Sequence, residues 1–175
     1  MAVREILLLG NPLLRKKCEK VRNFSDRSLR TVVGDLRDTL ARRRKTHGFG
    51  RGIAAPQIGI TKRIIFINVD EPRAMINPRI IRRSRNLMTL WDDCFSFPDI
   101  LAKVRRQVNV TIEFQDETGR RHTLNAAGRL SELLQHEIDH IDGILAIDRA
   151  IDSKHIVLRT EWDRLFRTEN PPLQL

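Results

Sequence analysis

The sequence predicts an α+β fold, in which antiparallel or mixed β-sheets pack around one central helix. Two segments have helical apolar spacing, and between them lie several short runs typical of strands. The second helical segment contains two histidines four residues apart. No linker, repeat or low-complexity tract interrupts the 175 residues, so we expect one domain over residues 1–175.

The first predicted helix runs from about Asp26 to Lys45, with Ser25 as its N-cap. Apolar residues fall on one face of it, at Leu29, Val32, Val33, Leu36 and Leu40. The glycine-rich run from His47 to Gly52 is expected to end the helix and open a turn.

The middle of the chain contains the predicted strands. Ile64 to Val69 is a β-branched apolar run typical of a buried strand. Weaker candidates follow at Ala74 to Arg82, Asn86 to Trp91, Val104 to Gln115 and Arg121 to Asn125. Asp116 to Gly119 predicts a hairpin turn before the last of them.

The second helix is predicted from about Ala127 to Asp142, and Gly143 provides its C-terminal stop. The stretch from Asp152 to Arg167 fits either a further helix or a strand followed by a helical turn, and the sequence does not decide between them.

Composition limits the classes of partner. No apolar run reaches the roughly 20 residues of a membrane helix, and no export signal precedes the chain, so we expect a cytoplasmic protein without a membrane partner. The two cysteines are then free thiols. The net charge of +10 fits either a solvated basic surface or a polyanion such as the ribosome, although no RNA-binding motif supports the second reading.

The predicted second helix carries the pattern H-E-x-x-H at His136, Glu137 and His140. Histidines four residues apart share one helix face, so both rings can reach one metal ion. Glu137 then lies beside the open coordination position, where a general base would take a proton from water.

A catalytic metal site usually has three protein ligands, so a third must come from elsewhere. The longer metalloprotease pattern fits poorly, because no histidine follows Gly143 at the required distance. His155 could serve in principle, but the soft thiolate of Cys94 is the better donor for a divalent transition ion.

Three segments resemble the peptide deformylase family. Gly50 to Gly59 matches its G-x-G-[LI]-A-A-x-Q-x-G, Asp92 to Ser96 is similar to its E-G-C-L-S, and Gln135 to His140 matches its Q-H-E-x-x-H. Their order and spacing agree with the family, and the stretch from Asn11 to Arg15 resembles its opening. The resemblance covers nearly the whole chain.

The resemblance implies that Cys94, His136 and His140 hold one divalent ion, ferrous iron in the cell, with zinc or nickel able to substitute. It implies that Glu137 takes a proton from the attacking water and delivers it to the departing amine. The ion, the Gln57 side-chain amide and the Phe95 backbone N–H would stabilise the oxyanion.

The substrate would be an N-formylated nascent peptide, and the glycines at Gly50 and Gly52 would let its backbone approach as an added strand. Asp93 stands where the family has glycine, and Arg51 lies between the two glycines. Arg129 and Glu132 share the helix face of His136 and would look into the same cleft.

These charged residues leave two possibilities for the identity of the substrate. Either the charged heads reach solvent and the cleft accepts formyl-methionine, or the cleft is polar and formyl-methionyl peptides are poor substrates. One alternative is therefore a deformylase-like amidase that acts on another formylated or acylated amine. Another is a deformylase that has lost catalytic activity and binds RNA or the ribosome. Retention of Gln57, Cys94 and Glu137 argues against this inactive form. We expect a monomer.

Overall fold

The computed structural model describes residues 2–166 of the chain, and the α+β prediction is confirmed. Three α-helices are present in this part: α1 (Arg27–His47), α2 (Gly128–Ile141) and α3 (Arg159–Leu165). Short 3-10 helical turns lie at Pro12–Arg15, Ala55–Ile58, Ala146–Arg149 and Ser153–His155.

Eight strands between residues 2 and 166 form two antiparallel sheets. The larger sheet has the order β1-β2-β3-β6-β7, with β1 (Gly52–Ala54), β2 (Ile64–Asn68), β3 (Pro72–Arg83), β6 (Asn109–Gln115) and β7 (Arg121–Ala127). The smaller sheet has the order β4-β5-β8, with β4 (Leu87–Asp93), β5 (Ile100–Gln107) and β8 (Ile156–Leu158). All the strand pairs within both sheets are antiparallel.

Strand β2 divides the core into two apolar layers because its side chains alternate between the faces of the sheet. Ile65 and Ile67 pack with α2, whereas Ile64 and Phe66 pack with α1. Every residue of α2 from 131 to 141 is buried, as expected for a helix enclosed by both sheets. Burial of one such Ile or Leu side chain contributes about 1.5–3 kcal/mol, so α2 is held firmly in place.

Helix α1 differs from the prediction at its start. Its N-cap is Asp26 and not Ser25, because the Asp26 side chain accepts a hydrogen bond from the Ser28 backbone N–H at 2.8 Å. The helix ends at His47 and is capped by Gly48, whose φ of 73° is the left-handed conformation that glycine adopts without strain.

The predicted strand from Val104 to Gln115 is wrong as one element. The chain changes sheets at Val108, whose N–H donates to the Asn86 carbonyl, so β5 and β6 are separate strands. The carbonyl of Gln107 accepts hydrogen bonds from Ser131 and Gln135 of α2, which fixes the break against the central helix.

The final stretch is a strand followed by a helix, β8 and α3, which is one of the two predicted alternatives. Its predicted last residue, Arg167, lies outside the described residues. Strand β1 was missed, since three residues are too few to give a periodic signal. Between residues 2 and 166, no helix is long and apolar enough to cross a membrane.

Candidate metal centre and catalytic site

The three predicted ligands meet in the interior, where α2 faces the end of strand β4. One ligand atom from each of Cys94, His136 and His140 lies within 4.8 Å of the other two. The Nε2 atom of His140 is 3.2 Å from Cys94 Sγ and 3.2 Å from His136 Nε2. All three residues are buried. A thiolate and two imidazoles converging on one point form the donor set of a divalent transition ion.

The orientation of His136 is set by the strand that carries the cysteine. Asp92 Oδ1 lies 2.8 Å from His136 Nδ1, which leaves Nε2 directed at the other two ligands. His155, the other candidate third ligand, lies elsewhere and pairs with Asp152 through its Nδ1 atom at 2.8 Å. Within the described residues, the group of side chains that could hold a metal ion consists of Cys94, His136 and His140.

A buried arginine connects this histidine to the rest of the core. The side chain of Arg106 is 3% exposed and donates to Asp92 Oδ2 at 2.8 Å and to Asp139 Oδ2 at 2.7 Å. Asp139 also accepts from Arg149 at 2.8 Å. Burial acts to raise the pKa of Asp92, but the charges of His136 and Arg106 hold that pKa well below its usual range. Asp92 is thus an ionised acceptor for His136.

Glu137 lies on the neighbouring part of α2 and lines the same cleft. Its side chain is buried, and its Oε2 atom has no hydrogen-bond partner among residues 2–166. Burial raises the pKa of the Glu137 carboxyl to about 7. A carboxylate with a free oxygen and a pKa near neutrality suits a group that takes and returns a proton.

The two glycines of the first motif are explained by contacts with protein side chains. A Cβ atom added at Gly52 would lie 2.6 Å from Glu137 Oε1, and one added at Gly50 would lie 2.1 Å from the Phe95 ring. Gly50 also has a φ of 118°, which favours glycine. The glycines therefore make room for Glu137 and Phe95.

The side-chain amide of Gln57 lies beside Cys94. Its Oε1 atom accepts from the Ala54 N–H at 2.9 Å, which orients its Nε2 atom towards the ligands. Nε2 lies 3.4 Å from Cys94 Sγ and 3.3 Å from Ser96 Oγ. The Phe95 backbone N–H has no acceptor within residues 2–166. Two N–H donors beside the converging ligands can stabilise a negatively charged oxygen.

Cys94 and His136 line a cleft with a volume of about 390 Å³. Its walls combine apolar side chains with the charged residues predicted from the sequence, and they include Phe49, Arg51, Asp93, Leu101, Glu132, Leu133, Arg159 and Trp162. Arg129 does not line it, because its side chain is exposed and only its backbone carbonyl is used, as an acceptor for Arg51.

Comparisons with known proteins agree with this geometry. The sequence profile of the family described as Polypeptide deformylase matches residues 3–155. A peptide deformylase from Natranaerobius thermophilus is 38% identical over 152 residues, covering 86% of this chain and 94% of the relative.

The chain belongs to the polypeptide deformylase family.

Solved deformylase structures share its fold. A peptide deformylase from Legionella pneumophila superimposes with a TM-score of 0.81 at 34% identity, covering 93% of this chain and 92% of that one. A Synechococcus elongatus deformylase in complex with actinonin has a TM-score of 0.81 at 32% identity, covering 92% and 85% of the two chains. As a member of this family, the protein is a hydrolase that removes N-terminal formyl groups.

Deformylases work with a divalent metal ion, and the convergence of Cys94, His136 and His140 fits one. Buried lone-pair atoms from three side chains point at one another, and the Nδ1 atom of His140 has no partner within residues 2–166. Such crowding of acceptors is unfavourable without a cation between them.

Sequence reasoning missed three contributors to this deformylase site. No role was predicted for Asp92, the partner of His136, or for Arg106, the partner of Asp92. Arg159 pairs with Asp93 at 2.7 Å and its guanidinium lies 4.9 Å from the Phe49 ring, although it is 65 positions from the ligand Cys94. A buried arginine beside an acidic motif has no local sequence signal, because the partners meet only in the fold.

Proposed function

We propose that this deformylase acts on the formyl-methionyl ends of nascent proteins, through a divalent ion held by Cys94, His136 and His140 and a proton carried by Glu137. The observation that supports this most strongly is the convergence of Cys94, His136 and His140, two of which line one cleft together with Glu137. We further propose that residues 1–175 act as one catalytic unit.

The ion would be held by Cys94 Sγ, His136 Nε2 and one ring nitrogen of His140. When bound, a divalent ion there would supply a Lewis acid that makes water a nucleophile at neutral pH. We propose ferrous iron as the cellular metal, with zinc or nickel able to substitute, since a mixed sulfur and nitrogen donor set accepts each of them.

Glu137 would carry the proton of the reaction. Its free Oε2 takes a proton from the attacking water and delivers it to the nitrogen of the departing amine. Formate and a free amino terminus are the products. The enclosed position of the side chain keeps bulk water from competing for this proton.

Gln57 and Phe95 would stabilise the negative oxygen that forms on the formyl carbon. The Gln57 amide is held in place through Ala54, so its Nε2 can donate without reorganisation. The Phe95 backbone N–H has no competing acceptor in the described part of the chain. Loss of one such preorganised donor typically costs about 3 kcal/mol of transition-state stabilisation.

The ligand set is tested by metal analysis of single variants. Protein purified without oxygen should contain one ion per chain, and Cys94→Ala and His140→Ala should lose it. His155→Ala is the matched control, because His155 was the other possible ligand and lies with Asp152. Loss of metal in His155→Ala with retention in Cys94→Ala would contradict the proposed set.

The reaction is tested with two peptides that differ only in the acyl group. Formyl-Met-Ala-Ser should release formate, and acetyl-Met-Ala-Ser should remain intact. Comparable hydrolysis of both peptides would instead support a general amidase.

We propose that the protein works in the cytoplasm, as a monomer, at the ribosome. Arg82, Arg83 and Arg85 are exposed and have no acidic partner within residues 2–166, so they are free to contact phosphate. Co-sedimentation with ribosomes should weaken as salt is raised and should fall in a triple Arg→Glu variant. Sedimentation that does not change in either case would contradict ribosome binding through this surface.

A further inference from the structure

Helix α3 contributes to the wall of the cleft although it lies beyond the part of the chain that matches the family. The deformylase profile matches residues 3–155, and strand β8 and helix α3 follow that segment. Trp162 of α3 is nevertheless buried, and it lines the same cleft as the ligand Cys94. A segment outside the family match therefore takes part in forming the cleft.

Arg159, the first residue of α3, fastens the helix to the segment that carries Cys94. Its Nη2 donates to Asp93 Oδ2 at 2.7 Å, and its Nε donates to the Pro98 carbonyl at 2.7 Å. Its backbone N–H donates to the Asp99 carbonyl at 2.8 Å. Asp93 precedes the ligand in sequence and Pro98 follows it, so one arginine binds the chain on both sides of Cys94.

The guanidinium of Arg159 also contacts the loop before strand β1. Its Cζ atom lies 4.9 Å from the centre of the Phe49 ring, which is within the range of a cation–π interaction. Phe49 stacks in turn on Phe95, with ring centres 5.3 Å apart. A planar guanidinium suits this position, because its edge can donate hydrogen bonds while its face lies on a ring. Arg159 thus joins α3 to two other parts of the cleft wall.

Within residues 2–166, no other side chain of α3 hydrogen-bonds outside the helix. Glu161 and Arg164 pair with each other at 2.6 Å, and the Trp162 indole N–H has no partner in that range. The helix has only seven residues, too few to be stable by itself in water. The position of Trp162 in the cleft wall therefore depends on Arg159 and on apolar packing.

The Arg159 anchor lies nearer to solvent than the metal ligands. The side chains of Arg159 and Asp93 are 25% and 37% exposed, whereas Cys94 and His136 are buried. The formyl carbon of a substrate must reach the buried ligands. The residues that follow the first one would then extend towards solvent, beside α3.

Resting on the proposed action on formyl-methionyl ends, we infer that helix α3 is part of the substrate site and that Arg159 is the positioning residue that holds it there. Trp162 would contact the second and third residues of the peptide, since an aromatic ring offers a large apolar surface to an extended chain. Arg159 acts through Asp93, Pro98 and Phe49, and it takes no part in the chemical step.

The inference is tested by the kinetics of the variant R159L on two substrates. KM for formyl-Met-Ala-Ser should rise about tenfold while kcat and metal content stay near those of the wild type, because only binding away from the reacting atoms is lost. KM for formyl-Met amide, which lacks the second and third residues, should change by less than about twofold. An unchanged KM for the tripeptide, or an equal rise for both substrates, overturns the inference.

Two further variants assign the effect to the anchor. R159K should recover part of the loss, because lysine can pair with Asp93 but cannot also donate to the Pro98 carbonyl and lie flat on a ring. R164L is the matched control in the same helix and should leave KM unchanged, since Arg164 is 68% exposed and pairs with Glu161. No recovery in R159K, or a rise in R164L like that in R159L, overturns the assignment.

A double-mutant cycle tests the link between Arg159 and Asp93. D93A should raise KM for the tripeptide, and adding R159L to D93A should raise it less than R159L does alone, because the pair is already broken. Fold-changes that simply multiply would overturn this coupling. D93A also serves if R159L does not fold, and an unchanged KM in D93A then overturns the inference.

Binding separates this inference from the proposed reaction. Calorimetric titration of the Glu137→Ala protein with formyl-Met-Ala-Ser measures affinity without turnover. Adding R159L to this protein should weaken the affinity about tenfold, and equal affinity overturns the inference. Absence of formate release by wild-type protein that holds its metal would contradict the proposed function, whereas the titration would still decide the role of Arg159.

Discussion

Asp92 Oδ1 lies 2.8 Å from Nδ1 of His136, so a carboxylate near the end of strand β4 orients a histidine on helix α2. The residue that precedes Cys94 by two positions therefore orients a histidine that is 44 positions away in sequence. A partner of this kind fixes the tautomer and the ring orientation of a ligating histidine. The segment that carries Cys94 therefore also fixes the orientation of the His136 ring.

Asp92→Ala should weaken metal binding by about 10–100-fold, because His136 loses the acceptor that orients it. A competition titration with a chromogenic chelator measures the affinity. Asp152→Asn is a suitable control, because it disturbs an exposed pair with His155 of the same 2.8 Å length. Equal affinity in wild type and Asp92→Ala would contradict the orienting role.

Arg106→Met should lower the free energy of unfolding by about 3–5 kcal/mol, because Asp92 and Asp139 would be left buried without their shared cation. Urea denaturation measures this loss. Arg149→Met removes another cation from Asp139, but that arginine is 45% exposed and its loss should cost less than about 1 kcal/mol. A similar loss of unfolding free energy in the two variants would show that burial of an arginine does not determine how much its ion pairs contribute to stability.

Gly52→Ala should reduce kcat about 100-fold without loss of the bound metal, because the added Cβ would displace Glu137, whose Oε1 is 2.6 Å from that position. Steady-state kinetics and metal analysis check both parts. Gly128→Ala measures the effect of backbone strain without a side-chain clash, since its φ of 52° disfavours alanine but nothing lies within 4 Å of the added atom. Normal kcat in Gly52→Ala would show that Glu137 can shift without cost.

The two cysteines should differ in reactivity once metal is removed. Cys94 lines the cleft and should react with iodoacetamide in the chelated protein, but not in the metal-loaded one. Cys18 should stay unmodified in both, because burial raises the pKa of its thiol to about 11 and little thiolate forms at neutral pH. Peptide mapping by mass spectrometry follows each site. Rapid modification of Cys18 in the folded protein would contradict its burial.

Much of the site could be predicted because its chemistry lies in short motifs. His136, Glu137 and His140 belong to one helix, whose spacing alone places them together. Gln57 and Cys94 were predicted from family-like segments, and the fold brings both to the histidines. The central helix and the α+β class follow from periodicity, since α2 is long and regular.

The rest depends on contacts between segments that are distant in sequence. Arg129 and Glu132 share a predicted helix face, yet only Glu132 lines the cleft, because the first turn of α2 lies at the surface. Val104 to Gln115 looks like one strand, and only its contacts with Ser131 and Gln135 show where it divides. Tertiary hydrogen bonds of this kind leave no periodic signal in the sequence.

The most direct test of the central claim is release of formate from formyl-Met-Ala-Ser by anaerobically iron-loaded protein, measured beside Glu137→Ala with the metal content of both known. We predict turnover by the wild type and a loss of about 100-fold or more in the variant, with one ion per chain in each, because Glu137 moves the proton but does not hold the metal. Equal turnover by the two proteins, or none by wild type that holds its metal, would contradict the account.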